Sequence, residues 1–253
     1  MKIDESKVAS TLLNPNYFFS FKIMASLTKA SRATLKSLEG FSSCDVSDAL
    51  VKLGVKYGGF LSGLTMWSPG RQSGTSKIFG SAYTVQMVDA KDTTSPKPSV
   101  HFADGIPRHS VVFVSQPKGL HTVCWGGLMS TRAKYLGAQG VIVDGNFRDV
   151  NEHRDLGFPL FARGISITGS AAATRSSTVN EAVKFTSDVQ REPLTINPGD
   201  FILGDADGIV VIPPTLAEQC LELCKERWVI DEKTRTALEN GAAMGPTIAK
   251  LRK

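Results

Sequence analysis

The stretch GGLMSTRAKYLGAQGVIVDGNFRDVNE, residues Gly126 to Glu152, predicts a helix opened by glycines and followed by a buried strand. Gly137 and Gly140 are placed to end the helix, and the apolar run GVIVDG is typical of a strand buried inside a sheet. The C-terminal end of that strand then carries four charged residues, which are Asp144, Arg148, Asp149 and Glu152.

The two ends of this stretch suggest a site for an anionic ligand. If the helix begins at Gly126 and Gly127, its first N–H groups have no intrahelical partner, and the helix dipole favours a negative charge there. Arg148 and Asp149 follow the strand, at the edge of an open α/β sheet where ligands commonly bind. A substrate carboxylate, a polarised oxygen and a hard divalent cation could share this space.

The glycine pair and the Arg-Asp pair each also have a purely structural interpretation. Gly126 and Gly127 could form an ordinary junction between a loop and a helix, and Arg148 and Asp149 could be a surface ion pair. Their spacing is more specific: Gly127, twenty residues, Arg148-Asp149, two residues and Glu152. This pattern resembles G-x20-R-D-x2-E/D, the signature of the RraA-like family in its class II pyruvate aldolase branch. Members of that family cleave 4-hydroxy-4-methyl-2-oxoglutarate or decarboxylate oxaloacetate, and another member is a non-enzymatic regulator of ribonuclease E.

Composition limits the broad class of the protein. A chain of 253 residues with 42% hydrophobic residues can bury one full core, so we expect a single domain. No apolar run approaches the length needed to span a membrane. The net charge of +5 comes from scattered Lys and Arg residues without a block of like charge, so we expect no nucleic-acid partner.

The four cysteines indicate neither a disulfide framework nor a zinc site. Cys44, Cys124, Cys220 and Cys224 include no C-x2-C pair and have no histidine at zinc-ligand spacing. Cys220 and Cys224 lie four residues apart on a predicted helix, which favours a role as small core residues. We therefore expect a reducing, cytoplasmic location.

The chain ends are predicted to lie outside the core. Residues 1–30 show no periodicity and resemble neither a signal peptide nor a transit peptide, so we expect a poorly ordered extension, or a functional start at Met24. The catalytic domain is expected to span residues 31–245, and residues 246–253 to form a loose basic tail. His153 directly follows the signature and is expected to be exposed and incidental.

The remaining elements are predicted from hydrophobic periodicity and from the capping, Gly and Pro residues between them. We predict a helix within Leu38 to Gly54 capped by Ser42 or Ser43, a loop from Gly58 to Gly74, and strands at Ile78 to Val88 and Ser110 to Ser115. Leu128, Ala133 and Leu136 would pack on the sheet. Further strands are expected within Phe158 to Gly169 and Asn197 to Pro213, followed by a long helix from Pro213 to Gly241.

Four segments around the signature also resemble the family, in the same order along the chain. They are VSDAL from Val46, GSAYTV from Gly80, FPLFARG from Phe158 and PGDFILGDADGIVVIP from Pro198. Asp205 and Asp207 in the last of these could be acidic groups near an active site, but a hairpin turn alone explains D-x-D-G.

The resemblance implies an α/β fold, a swivelling β/β/α sandwich around a partly parallel central sheet, assembled as a homotrimer or a dimer of trimers. It implies that Asp149 binds Mg²⁺ or Mn²⁺ and that Glu152 orients a metal-bound water. Backbone N–H groups of Gly126, Gly127, Leu128 and Met129 would bind the carboxylate of a 2-keto dicarboxylate substrate. Arg148 would stabilise the enolate oxygen that develops when the carbon–carbon bond breaks.

Two other functions compete with this reading. A non-catalytic regulator that binds a ribonuclease or another protein is the main alternative, and Glu152 argues against it because the non-enzymatic branch lacks this acidic residue. An S-adenosylmethionine-dependent methyltransferase is disfavoured because no G-x-G-x-x-G fingerprint follows any predicted strand. Cleavage and decarboxylation both end in the same pyruvate enolate, so the physiological substrate stays open.

Overall fold

The computed structural model describes residues 29–252. The expectations for the N-terminal extension and for Met24 therefore concern mainly residues outside the described part of the chain.

Ten strands and six α-helices are described. The strands are β1 (Thr65–Ser68), β2 (Ile78–Asp89), β3 (Ser110–Ser115), β4 (Gly140–Phe147), β5 (Leu160–Ile165), β6 (Thr174–Val179), β7 (Val183–Ser187), β8 (Gln190–Ile196), β9 (Phe201–Gly204) and β10 (Ile209–Ile212). The helices are α1 (Lys29–Leu38), α2 (Ser43–Lys52), α3 (Gly127–Leu136), α4 (Val150–Asp155), α5 (Ala217–Glu239) and α6 (Met244–Leu251).

The central sheet is partly parallel, as predicted. Its strand order is β1-β5-β4-β3-β2-β9-β10, and β6 also pairs with β2. The four strands β2 to β5 run parallel to one another, while β1, β6, β9 and β10 pair antiparallel to their neighbours. Because α3 connects the parallel neighbours β3 and β4, the carboxyl ends of both strands meet at the edge where the signature residues lie.

Alternation along β2 shows that the sheet is covered by different layers on its two faces. Tyr83, Val85 and Met87 pack in a cluster with Trp125 and Ala133 on the side of the helices. Ile78 and Ala82 point the other way, into a cluster with Phe185 of the separate hairpin formed by β7 and β8. A hairpin layer, a sheet layer and a helix layer make up the β/β/α arrangement of a single α/β domain.

Helix α2 confirms the predicted cap. Ser42 is the N-cap, its side chain accepts from the backbone N–H of Asp45, and Asp45 accepts in return from the backbone of Ser42. Val46 and Leu50 are fully buried on one face, and Gly54 adopts a left-handed φ of 77° just after the helix.

Several local predictions were wrong. Leu128 is 84% exposed, because Gly127, Ser130 and Ala133 form the buried face of α3 and Leu128 points away from it. The loop predicted from Gly58 to Gly74 contains the edge strand β1, which pairs with β5.

The predicted loose tail is also wrong, since residues 244–251 form the helix α6. Pro246 falls in the first turn of this helix, where its missing N–H leaves no hydrogen bond unmade. Beyond the helix, Arg252 Nη2 binds Asp231 Oδ1 of α5 at 2.8 Å. The tail therefore continues the helical layer, while the domain boundaries themselves stay a prediction.

The prediction that Cys220 and Cys224 are core residues is confirmed. Cys220 and Cys224 are fully buried on α5, and all four cysteines are unpaired thiols. Over residues 29–252, no helix combines the length and the apolar character that crossing a membrane requires.

Candidate active site

The start of α3 and the turn after β4 come together around Gly127. The backbone N–H of Gly127 donates to Asp149 Oδ2 at 2.9 Å. Arg148 Nε lies 3.6 Å from the same oxygen, and the side chains of Arg148 and Asp149 are 46% and 32% exposed. The structure therefore brings together the helix N-terminus, the guanidinium and the carboxylate that the sequence separates by twenty residues.

Both glycines leave room for acidic side chains that approach them closely. A Cβ atom on Gly127 would lie 1.8 Å from Glu152 Oε2, and one on Gly126 would lie 2.9 Å from Asp149 Oδ2. Neither glycine has a positive φ that would by itself favour glycine. The reason for glycine here is thus space for two carboxylates rather than backbone freedom.

Asp149 occupies an unusual backbone conformation. Its φ of 67° and ψ of 45° place a non-glycine residue in the left-handed region, at the residue just before α4. Aspartate tolerates this region better than most residues, yet the conformation still carries strain. Such strain at an exposed carboxylate is typical of a functional position.

Backbone donors at the helix start are already partly engaged. Gly127 N–H donates to Asp149, and Met129 N–H donates to Gly126 O at 3.1 Å. Leu128 contributes an exposed side chain next to them. A carboxylate that binds to Gly127 N–H would compete with Asp149 for it.

His153 is buried, and the prediction that it would be exposed and incidental was wrong. It is 0% exposed, and its imidazole lies 5.4 Å from the ring of Phe147, centroid to centroid. Its Nε2 contacts Arg148 O at 2.7 Å and its Nδ1 contacts Ser130 Oγ at 2.9 Å. Burial lowers the pKa of His153, against the opposing effects of the Arg148 carbonyl and the Asp149 and Glu152 carboxylates.

Asp144 does not join this site, although it lies on the same strand. Its side chain points to the hairpin face, where it is 1% exposed and pairs with Lys118 at 2.7 Å and with Arg163. Both cations lie over the ring of Phe185. This buried carboxylate therefore links the sheet to the β7–β8 hairpin.

Asp205 also has a structural role here. Its carboxylate accepts from the backbone N–H of Ser43 at 2.8 Å and from the Ser43 hydroxyl at 2.6 Å, and it closes the turn through Asp207 N–H at 3.1 Å. Asp207 itself is exposed. The turn between β9 and β10 thus ties that hairpin to the start of α2.

Sequence reasoning missed the residues that fix the loop before α3. Gln116 Oε1 accepts from Asn146 N–H at 2.9 Å and Gln116 Nε2 donates to Thr122 O at 2.9 Å. Asn146 Nδ2 donates to Leu120 O at 2.9 Å. Gln116 directly follows β3, and Asn146 lies at the end of β4. This position at the carboxyl end of a strand is the one signal in the sequence that could have identified them.

The residues present suit a hard cation with few protein ligands. Asp149 and Glu152 both bring carboxylate oxygens close to Gly127, whereas both nitrogens of His153 already have partners. In residues 29–252, no group of three or more His, Cys, Asp or Glu side chains is arranged to hold a metal. Oxygen ligands completed by water are tolerated by Mg²⁺ and Mn²⁺ but not by structural zinc.

Comparisons with known proteins point to one family. Protein DlpA of Legionella pneumophila is 29% identical over 211 residues, which are 83% of this chain but 32% of that protein, so the chain spans about a third of that relative's length. A putative 4-hydroxy-4-methyl-2-oxoglutarate aldolase of Halalkalibacterium halodurans is 29% identical over 164 residues, which are 65% of this chain and 73% of the relative.

The same fold occurs in a solved structure. An uncharacterized protein from Pseudomonas syringae pv. tomato superimposes with a TM-score of 0.70 at 25% identity, covering 85% of this chain and 96% of that one. The RraA-like family model, described as Aldolase/RraA, matches residues 43–211, which include the signature and its flanking strands. The chain therefore belongs to the RraA-like family.

Proposed function

We propose that this protein is a divalent-cation-dependent carbon–carbon lyase. It would cleave 2-keto acids of the 4-hydroxy-4-methyl-2-oxoglutarate type to pyruvate and decarboxylate oxaloacetate. The observation that carries the proposal is the convergence of Asp149, Glu152 and Arg148 on the N-terminus of α3 around Gly127. The similarity to a putative aldolase of this substrate class supports it.

In this proposal, each residue near Gly127 has a separate task. Asp149 would hold Mg²⁺ or Mn²⁺, and Glu152 would orient a water beside the cation. When bound, the cation supplies positive charge that polarises the 2-keto group of the substrate. The helix start from Gly126 to Met129 receives the substrate carboxylate, because the dipole and the N–H groups favour an anion there.

Arg148 acts on the charge that develops during the reaction. In aldol cleavage, the 4-hydroxyl loses its proton to water and the bond between C3 and C4 breaks. C4 leaves as the keto carbon of one pyruvate, and the electron pair of the broken bond moves to the 2-keto oxygen of the other half as an enolate. In decarboxylation, the same electron pair comes from the bond to the departing CO₂. In this proposal the half-exposed Arg148 guanidinium beside Asp149 stabilises that oxygen, and protonation of the enolate carbon then yields pyruvate.

An assay of pyruvate release tests the proposal. Purified protein is given oxaloacetate or 4-hydroxy-4-methyl-2-oxoglutarate, first with Mg²⁺, then with EDTA, then with Mg²⁺ restored. We expect release of pyruvate that EDTA abolishes and Mg²⁺ restores. The slow release from oxaloacetate caused by free Mg²⁺ is subtracted with a blank that contains the same Mg²⁺ and no protein. If neither substrate gives pyruvate above that background with Mg²⁺ or Mn²⁺, the enzyme proposal fails and the non-catalytic regulator replaces it.

We further propose assembly as a homotrimer or a dimer of trimers in the cytoplasm. Leu128 and Tyr135, at 84% and 77% exposed, lie seven residues apart on α3 and form an apolar stripe on its outer side. A neighbouring subunit that covers this stripe would lie beside the start of α3. The active site would then stand close to a subunit boundary.

A further inference from the structure

A closed circuit of four hydrogen bonds joins the two halves of the candidate site. Trp125 Nε1 donates to Ser130 Oγ at 2.8 Å, and Ser130 Oγ contacts His153 Nδ1 at 2.9 Å. His153 Nε2 contacts Arg148 O at 2.7 Å, and Arg148 N–H donates back to Trp125 O at 3.2 Å. The circuit runs from the loop before α3, through α3 and α4, to the turn after β4.

The partners determine where the hydrogens lie. The Arg148 carbonyl can only accept, so His153 Nε2 must carry a hydrogen. The Trp125 indole can only donate, so the Ser130 oxygen accepts there and its own hydroxyl hydrogen is available for His153 Nδ1. One neutral imidazole tautomer therefore satisfies every member of the circuit.

The side chains of the circuit are shut off from solvent. Trp125 is 1% exposed, and Ser130 and His153 are 0% exposed. Bulk solvent does not reach these groups in the folded protein, so a bond lost here leaves a buried polar group without its partner. The circuit is thus a rigid connection rather than a surface contact.

The bond to Arg148 O acts on the most strained residue of the site. This carbonyl belongs to the peptide group that joins Arg148 to Asp149, and its orientation governs the φ of Asp149, which is 67°. Arg148 N–H and Arg148 O are both held, by Trp125 and by His153 respectively. Without the imidazole, this carbonyl loses that bond, and the left-handed conformation of Asp149 is held only by the remaining contacts of its backbone and carboxylate.

We propose that His153 is a positioning residue that aims the Asp149 carboxylate and the Arg148 guanidinium at the start of α3 by holding the peptide group between them. The inference rests on the proposed function where it assigns the cation to Asp149. It adds a residue outside the signature, and one that touches neither cation nor substrate.

Two substitutions separate the two nitrogens of the imidazole. His153→Gln places an amide nitrogen near the position of Nε2 and can still donate to Arg148 O. His153→Asn is shorter, and its amide reaches the position of Nδ1 beside Ser130 but not Arg148 O. Both variants are uncharged and both remove the aromatic ring, so they form a matched pair, and their melting temperatures and circular dichroism establish that both fold.

Two measurements read the positioning directly. Mn²⁺ affinity is measured by electron paramagnetic resonance, and amide hydrogen exchange in the metal-free protein is followed for residues 146–152, with β9 and β10 as an internal reference. We expect His153→Asn to weaken Mn²⁺ binding by about tenfold or more, the scale of losing a residue that orients a metal ligand. Exchange of residues 146–152 should rise in the same variant, and His153→Gln should recover both toward wild type.

The outcomes distinguish this inference from the proposed function. If His153→Asn matches wild type in Mn²⁺ affinity and in local exchange, or if Gln and Asn are equally impaired, His153 does not position the turn. Faster exchange with unchanged Mn²⁺ affinity makes the circuit structural only and also overturns the inference. If the wild-type protein binds Mn²⁺ but releases no pyruvate, the proposed lyase activity is wrong. Mn²⁺ affinity and hydrogen exchange of the two variants then still decide whether His153 positions the turn. If wild type binds no Mn²⁺, the assignment of the cation to Asp149 fails, and so does the positioning of a metal ligand.

Discussion

At the scale of single residues, Asp149 combines a strained backbone with an exposed charge. Asparagine shares the tolerance of aspartate for the left-handed region and can still accept from Gly127 N–H, so Asp149→Asn removes the charge with little change of shape. We expect this variant to keep its fold and to lose most Mg²⁺-dependent pyruvate release, because its proposed cation ligand is weakened. Titration with excess Mg²⁺ should restore part of the rate, and wild-type kinetics without added cation would contradict the assignment.

Arg148→Ala is expected to fail in a different way. The guanidinium is proposed to stabilise an oxygen whose charge develops only as the bond breaks, so its loss should lower kcat by about a hundredfold or more, the scale of removing one oxyanion donor. Excess Mg²⁺ should not restore the rate. Steady-state kinetics of both variants over a range of Mg²⁺ concentrations checks the contrast, and rescue of Arg148→Ala by the cation would show that Arg148 serves metal binding instead.

His153 is expected to make the stability of the protein sensitive to acid. Its pKa in the folded state is lowered from 6.5, so the unfolded chain takes up a proton at a higher pH than the folded chain does. Titration of His153 should therefore cost no stability above about pH 6.5. Below that pH the free energy of unfolding should fall as the pH drops. Urea unfolding from pH 7.5 to 5 measures this loss, and His153→Gln should flatten the curve. Equal slopes for both proteins would show that His153 is not responsible.

At the scale of elements, the glycine that opens α3 leaves room for the Glu152 side chain of α4. Gly127→Ala would place a Cβ atom 1.8 Å from Glu152 Oε2 and 2.7 Å from Glu152 Cδ, so the Glu152 side chain must swing away. We expect a folded variant with weaker Mn²⁺ binding and at least about tenfold slower pyruvate release. The matched control is Gly245→Ala in α6, where a Cβ meets nothing within 4 Å and alanine is the better helix former. Loss of activity in both variants would contradict a specific effect at Gly127.

The helix α3 and the strand β4 were predictable because their signals are local. Gly137 ends the helix in the left-handed region, and the apolar run of β4 leaves little choice of structure. The hairpin β7–β8 carries a weaker signal. Buried and exposed residues alternate in β7 over only five positions, and β8 buries only its two end residues, Gln190 and Ile196. The stability of the hairpin comes from the sheet beneath it, which a sequence window does not contain.

The candidate site was predictable only in part, for a related reason. The spacing of Gly127, Arg148, Asp149 and Glu152 is written in the sequence, and the structure brings these residues together. The role of His153 depends on Trp125 and Ser130, which lie more than twenty positions earlier on another element. Neither residue type predicts such a partner, so only the packing of α3 against α4 reveals it.

At the scale of the whole molecule, the three layers leave one edge open for function. The hairpin layer and the helix layer cover the two faces of the sheet, and the carboxyl ends of β3 and β4 carry the loops of the site between them. Within one subunit, α3 is buried on its Gly127, Ser130 and Ala133 face alone. The outer side of the same helix is therefore available to a second subunit.

The last prediction concerns that outer side. Light scattering should give a mass of three or six times the 27.2 kDa of one chain. Tyr135→Glu places a charge in the apolar stripe, where burying it against a neighbour is unfavourable, so we expect dissociation with secondary structure kept. Val189→Glu, at a residue that is 76% exposed on the far hairpin, is the control and should leave the mass unchanged. Because the stripe begins at Leu128 beside the site, dissociation should also lower pyruvate release. An active monomer of the wild-type chain would show that there is no such interface. Dissociation by Val189→Glu alone would place the interface on the hairpin instead.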